Sequence, residues 1–353
     1  AQISDAVIDS AIAEMPPPYV RLDGPRLRAD LISRRERLPQ AAREFYRVLA
    51  REVDFRATDD RDLAEITRSA DGAVRIAISP LDSLGTHDTP YLERRFEPAD
   101  TREVRVFLNA NDDRAIVRGA AARDITVRII GGDGDDMVID SVPGGDRALR
   151  VYDAAGNDRV VSPAGTTIDR KPYRPPSAER VQHTVRDWGS WSFMQRAASY
   201  APSFGVLASI SHTWLRYGFR QDPFASRSTV RLDVSVNEQR PRLTYDGTFR
   251  KMNSTQFVDL RLMASGLELI RFHGFGNETR SDSATSYYRV FQNLFRVEPA
   301  WVFNPNRHTT WSLGGVAQYT STRDDAATLV GDTQPYGSGT FGEVGARLAV
   351  VVD

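Results

Sequence analysis

From Trp191 onward, apolar and polar residues alternate one for one in stretch after stretch of the chain. Between Thr229 and Asn237, Val230, Leu232, Val234 and Val236 fall on one side, and Arg231, Asp233, Ser235 and Asn237 on the other. A period of two is the signature of an extended strand, because successive Cβ atoms leave a strand on opposite faces. Leu243, Tyr245, Gly247 and Phe249 oppose Thr244, Asp246, Thr248 and Arg250 in the same way, and Val258, Leu260 and Leu262 oppose Asp259 and Arg261. Further β stretches are expected over 204–220, 287–297, 311–319 and 341–352. A soluble β-sandwich with a charged outer face would show this alternation, and so would the wall of a membrane barrel. Arg and Asp recurring at mid-strand suit a watery lumen. Aromatic residues near the strand ends (Trp191, Tyr200, Trp214, Tyr217, Tyr287, Tyr288 and Trp301) suit interfacial girdles. The expectation is therefore a transmembrane barrel, with the sandwich as the alternative. The mean hydropathy of −0.42 does not decide between them, since only every second residue of a barrel strand meets lipid. No run approaches the roughly 18 apolar residues of a membrane helix.

Ahead of this region lies an internal repeat. Val104-Arg105-Val106-Phe107, Val127-Arg128-Ile129-Ile130 and Leu149-Arg150-Val151-Tyr152 align, each followed by a polar turn ending at Asp113, Asp136 or Asp158. A second apolar stretch follows each turn: Ala115-Ile116-Val117, Val138-Ile139 and Val160-Val161. Units that recur at a fixed interval and cannot bury their apolar side chains alone do so by stacking. Val106, Ile129 and Val151 are expected to form one internal column, with Arg128 exposed. Before the repeat, Leu63 to Arg68 and Val74 to Ser79 flank Asp71-Gly72, a hairpin signal. The first residues read as three helices: one ended by Pro16-Pro17-Pro18, one opened by Asp23-Gly24-Pro25 and one opened by Pro39. Their arginines read as a solvated face.

Few motifs offer chemistry. Gly131-Gly132-Asp133-Gly134-Asp135-Asp136-Met137-Val138-Ile139 fits the nonapeptide of calcium-binding β-rolls. Asp133, Asp135, Asp136 and Asp158 are accordingly the calcium candidates, carboxylates being suitable hard ligands. The competing reading is a stack of tight turns in which Gly supplies positive φ and Asp bonds the neighbouring backbone. Spacing favours the turns, because the next Asp-turn, Asp153-Ala154-Ala155-Gly156-Asn157-Asp158, is not the adjacent nonapeptide that a β-roll requires. Gly337-Ser338-Gly339-Thr340-Phe341-Gly342-Glu343-Val344 resembles a kinase glycine-rich loop, but the strand after it carries no Lys and no catalytic loop follows. The five histidines share no metal-ligand spacing, and no Gly-x-Ser-x-Gly elbow exists. No cysteine is present, which excludes disulfides, thiolate metal sites and a Cys nucleophile. Balanced charge, 46 basic against 47 acidic residues, argues against a nucleic-acid partner. Catalytic and cofactor-binding residues are expected to be absent from this chain.

Tyr217-Gly218-Phe219-Arg220, Pro223-Phe224-Ala225-Ser226 and Ile270-Arg271-Phe272-His273-Gly274-Phe275-Gly276-Asn277-Glu278-Thr279 together resemble barrels of the BamA/TamA-like bacterial surface antigen family. The resemblance covers about 188–353. It implies an antiparallel barrel of about sixteen strands, of which this chain supplies about half. The family's late Arg-Gly-Phe/Tyr loop and its aromatic C-terminal residue are absent, so the barrel is expected to be truncated. Residues 1–170 do not look like the family's βαβ-type repeats.

The expected fold is mainly β. A helical region (1–58) precedes a solenoid-like β-domain with three repeats of 22–23 residues (59–168), a Pro-rich linker (169–187) and a partial outer-membrane β-barrel (188–353). The resemblance implies an outer-membrane protein whose N-terminal part is periplasmic. Its partners would be outer-membrane lipid and other envelope proteins, and its roles protein or lipid insertion, export or anchoring. The alternatives are a soluble calcium-binding envelope module, or an accessory region of a larger envelope enzyme catalysing elsewhere in its chain.

Overall fold

A computed structural model of the protein describes residues 3–352 except 83, 122–123, 164, 174–185, 277–278, 280–281, 307 and 324–325. Most of the Pro-rich linker, and Asn277 and Glu278 of the resemblance motif, lie outside the described residues. The chain divides into two units, 1–172 and 173–353, and each is mainly β.

The proline run separates two helices, not three. In α1 (Asp5–Ala13) the Ser4 hydroxyl accepts the Val7 N–H at 3.3 Å and caps the first turn. Pro17 and Pro18 then occupy the first turn of α2 (Pro17–Ala50), where a missing N–H costs nothing. The breaks expected at Gly24-Pro25 and Pro39 do not occur, and one helix of 34 residues runs through both. An interior proline costs about 3 kcal/mol, but here α1 lies against α2 and bridges Pro25. Ile8 and Ile12 are buried, with Ile12 over Gly24. Downstream of Pro25, Arg28 and Arg35 bind Asp9 and Asp5 at 2.6 Å each, so these two arginines are partners of α1 and not simply a solvated face. Around Pro39, neighbours of high helix propensity such as Ala41, Ala42 and Glu44 carry the helix onward.

Residues expected to be helical up to 58 in fact begin the sheet. Strand β1 (Glu52–Arg56) pairs in parallel with β5 (Glu103–Ala110), followed by β7 (Thr126–Asp133), β9 (Leu149–Tyr152) and β11 (Thr167–Asp169). The sequence there is Glu-Val-Asp-Phe-Arg, whose alternation is that of a strand. A second sheet runs β10 (Arg159–Val161), β8 (Met137–Asp140), β6 (Arg114–Gly119) and β2 (Asp62–Arg68) in parallel, then adds the antiparallel β3 (Val74–Pro80) and β4 (Leu92–Phe96). The Asp71-Gly72 hairpin joins β2 to β3, with Gly72 at φ +86°. Val106 pairs with Ile129, and Ile129 with Val151, all three fully buried in one apolar cluster that also includes Ile66, Ile76 and Val117. Arg128, expected to be exposed, is mostly covered. It binds Glu103 at 2.9 Å and donates to the Tyr152 hydroxyl.

The second unit is one antiparallel meander of eight strands in sequence order: β12 (Ser190–Ala201), β13 (Gly205–Gly218), β14 (Gln221–Ser235), β15 (Pro241–Arg250), β16 (Gln256–Arg271), β17 (Arg289–Phe303), β18 (Thr309–Thr322) and β19 (Thr340–Val352). Tyr287 and Tyr288 do not start a strand. They close a 3-10 turn, and Tyr288 is buried with His273 stacked on it at 4.3 Å. A short helix, α3 (Leu329–Thr333), lies between β18 and β19.

Candidate functional site

The meander presents two unlike faces. Cross-strand partners share a face, so the register defines each face across all eight strands. Ile210 pairs with Leu232, Leu232 with Leu243, Leu243 with Ala264, Ala264 with Phe295 and Phe295 with Tyr319. A second row runs from Phe249 through Val258, Trp301 and Leu313 to Leu348. These apolar rows are exposed: Leu232 is 37%, Leu243 48% and Val236 59% accessible.

The opposite face carries the charge and is the better covered. Asp233, only 1% accessible, accepts from Ser209 at 2.5 Å and pairs with Arg231 at 2.8 Å and Arg242 at 3.1 Å. Farther along, Arg261 binds Asp246 at 2.9 Å, Thr248 donates to Asp259 at 2.7 Å, and Arg296 donates to Gln318 at 2.7 Å. Thr213, Ser235 and Ser265 are buried on this face too, beside Leu294 and Val302.

In the first unit the Asp-turns stack into ladders. The Asp113 carboxylate accepts the Asp62 N–H at 2.7 Å, Asp136 accepts that of Asp113 at 2.9 Å, and Asp158 accepts that of Asp136 at 3.2 Å. A parallel column runs the other way: Asp112 accepts the Asp135 N–H at 3.0 Å, and Asp135 that of Asn157 at 2.8 Å. Each carboxylate thus satisfies a backbone donor of the neighbouring rung, the role that the tight-turn reading assigned to it. Gly134, at φ +139°, sits so close to the Asn111 carbonyl that a Cβ could not fit.

Four calcium candidates came from the sequence. Asp133 and Asp135 are exposed. Asp136 and Asp158 come together, and they are joined by Asp153, which the motif did not flag. One carboxylate oxygen of each of these three lies within 4.8 Å of the others. Asp153 follows Tyr152, whose register partner is Ile130, so it occupies the strand position of Gly131 and points inward. Asp136 and Asp153 are 2% and 3% accessible. Asp136 Oδ2 has no hydrogen-bond partner, and the oxygens of Asp153 have only the Ala155 N–H and the Asp158 carboxyl nearby, neither in good geometry. Burial pushes the Asp153 carboxyl up to about 8, with the Asp158 carboxylate beside it adding to the shift. Burial likewise raises Asp136 to about 6 and Asp113 to about 8, against the backbone N–H that each accepts.

Comparison of the chain with protein-family models, curated proteins and solved structures finds no match.

Proposed function

We propose that 190–352 form part of the wall of an outer-membrane β-barrel of the surface-antigen type, with the apolar rows against lipid and the Asp233 face toward a watery lumen. In the same reading the parallel rungs of the first unit are a short β-solenoid held in the periplasm, and the protein serves envelope insertion, export or anchoring. One observation carries this: the sheet is inside out for water, with Asp233 buried among its partners on one face and apolar rows exposed on the other from β13 to β19. A soluble protein rarely leaves so large an apolar patch uncovered. The strands, 10 to 16 residues long, meet the roughly 9–11 residues that a tilted strand needs to cross a bilayer. Charged pairs at mid-strand stay in a polar lumen, where they escape the cost of lipid exposure.

Cell fractionation and gel mobility test the proposal. The full-length protein should sediment with outer membranes, resist carbonate extraction and migrate differently after boiling. Recovery without detergent as a soluble periplasmic monomer would refute it and favour the soluble envelope module.

A further inference from the structure

We infer that Asp136, Asp153 and Asp158 bind one hard divalent cation, of the Ca²⁺ or Mg²⁺ class, at the end of the apolar core between the β7 and β9 rungs. Two independent observations support the site. The first is convergence: three carboxylates from two successive turns place an oxygen each within 4.8 Å of one another. The second is that the inward-pointing oxygens lack well-formed hydrogen bonds. Asp136 is 2% accessible and its Oδ2 is bare, and Asp153, 3% accessible, has only the Ala155 N–H and the Asp158 carboxyl nearby, neither in good hydrogen-bond geometry. Among the described residues, no arginine or lysine pairs with any of the three. A buried carboxylate without a partner is strongly disfavoured, and three sharing one pocket repel each other as well. Something positive must stand between them, either a cation or a proton.

The local backbone favours a cation. Asp136 and Asp158 each spend one oxygen on a ladder N–H, which fixes the carboxylate plane and leaves the other oxygen free. Gly131 lies directly beneath: a Cβ there would collide with the Oδ2 atoms of both Asp136 and Asp153. The residue that keeps the pocket open is thus the one residue without a side chain, in a column whose previous position is the fully buried Leu108. Asp158 is half-buried and provides the solvent edge through which water completes the coordination shell. An all-oxygen, multiply anionic set selects hard cations over Zn²⁺ or Cu²⁺. The site is not the β-roll geometry that the nonapeptide suggested, because Asp133 and Asp135 point outward and take no part. Bound there, the ion would tie the β7 turn to the β9 turn, stabilising the stack as any ligand of the folded state does.

The test uses the whole chain in detergent, stripped with a chelator that is then removed, and titrated calorimetrically with CaCl₂, MgCl₂ and ZnCl₂. One Ca²⁺ or Mg²⁺ per chain should bind. Asp153→Asn should weaken binding about tenfold or more, since affinity follows the ligand charge. Gly131→Ala should weaken it similarly while leaving every carboxylate in place. Asp133→Asn and Asp135→Asn should leave the affinity within about twofold. Circular dichroism checks folding, and Asp158→Asn, at the solvent edge, replaces Asp153→Asn should the latter misfold. Absence of Ca²⁺ and Mg²⁺ binding at millimolar concentration would overturn the inference and assign the pocket to a shared proton. Unchanged binding in both Asp153→Asn and Gly131→Ala, or its loss in Asp133→Asn, would place the ion on the exposed turn and overturn it equally.

Discussion

Arg68 and Asp146 form an ion pair with both side chains fully buried, and Arg68 also donates to the Ile125 carbonyl at 3.0 Å. Asp146 in turn accepts the Ala148 N–H at 2.9 Å. Removing one partner strands a charge in the core, so Arg68→Met should cost about 3–5 kcal/mol. Adding Asp146→Leu to it should cost less than the sum of the two single changes. Hydrogen exchange of the β2 and β6 amides reads both effects, and strict additivity would contradict the coupling. Ile129 tests the apolar column in the same way. Ile129→Ala should cost about 2–5 kcal/mol, whereas Arg118→Ala, at an exposed pair with Glu65, should cost less than about 1 kcal/mol. Equal protection loss in the two would mean that the column is not the core. The column itself was legible, because apolar residues recurred in register. Asp153 was not, because its turn reads as a degraded copy of the Asp136 turn. The alignment of the rungs sets Asp153 opposite Gly131, but only the structure shows that the missing side chain there makes room for it.

Helix and strand boundaries depend on neighbours that a local reading does not see. Pro25 and Pro39 look like helix starts, and α2 passes through both because contacts with α1 span the first and helix-favouring residues flank the second. Strand β1 was hidden for a different reason. Its rung continues into β2, whose Asp62 sits 51 residues from Asp113, whereas the later ladder steps are 23 and 22, and the inserted β3 and β4 mask the interval. The meander strands were the most legible elements, since a period of two needs no distant information. They also carry a face-specific expectation. Leu243→Arg places a charge on the apolar face, where lipid contact costs about 2–4 kcal/mol at mid-bilayer. Thr244→Arg places the same charge on the Asp233 face and should be tolerated far better. Folding yield in lipid vesicles distinguishes them, and equal yields would contradict the facing. Asp233 is a poor control for such a pair, since its two arginines and Ser209 make any reversal of its charge costly in either environment.

The whole molecule joins a stack of parallel rungs, preceded in the chain by a helical pair, to an antiparallel sheet whose exposed face is apolar. The two units solve burial differently. The first hides its apolar columns between two sheets. The second covers its Asp233 face better than the other and leaves its apolar rows exposed, which in water would be the wrong way round. That inversion was legible as alternation but not as direction, because a period of two says that faces differ and not which one a solvent meets. The absence of cysteine makes the direction measurable. Single cysteines placed one at a time from 243 to 249, spin-labelled in the full-length protein reconstituted in lipid bilayers, report contact with lipid through dissolved oxygen and with water through a soluble nickel chelate. Labels at 243, 245, 247 and 249 should be relaxed by oxygen and shielded from nickel, and those at 244, 246 and 248 should show the reverse. Uniform nickel access at all seven positions, or the opposite phase, would contradict a lipid-facing apolar surface.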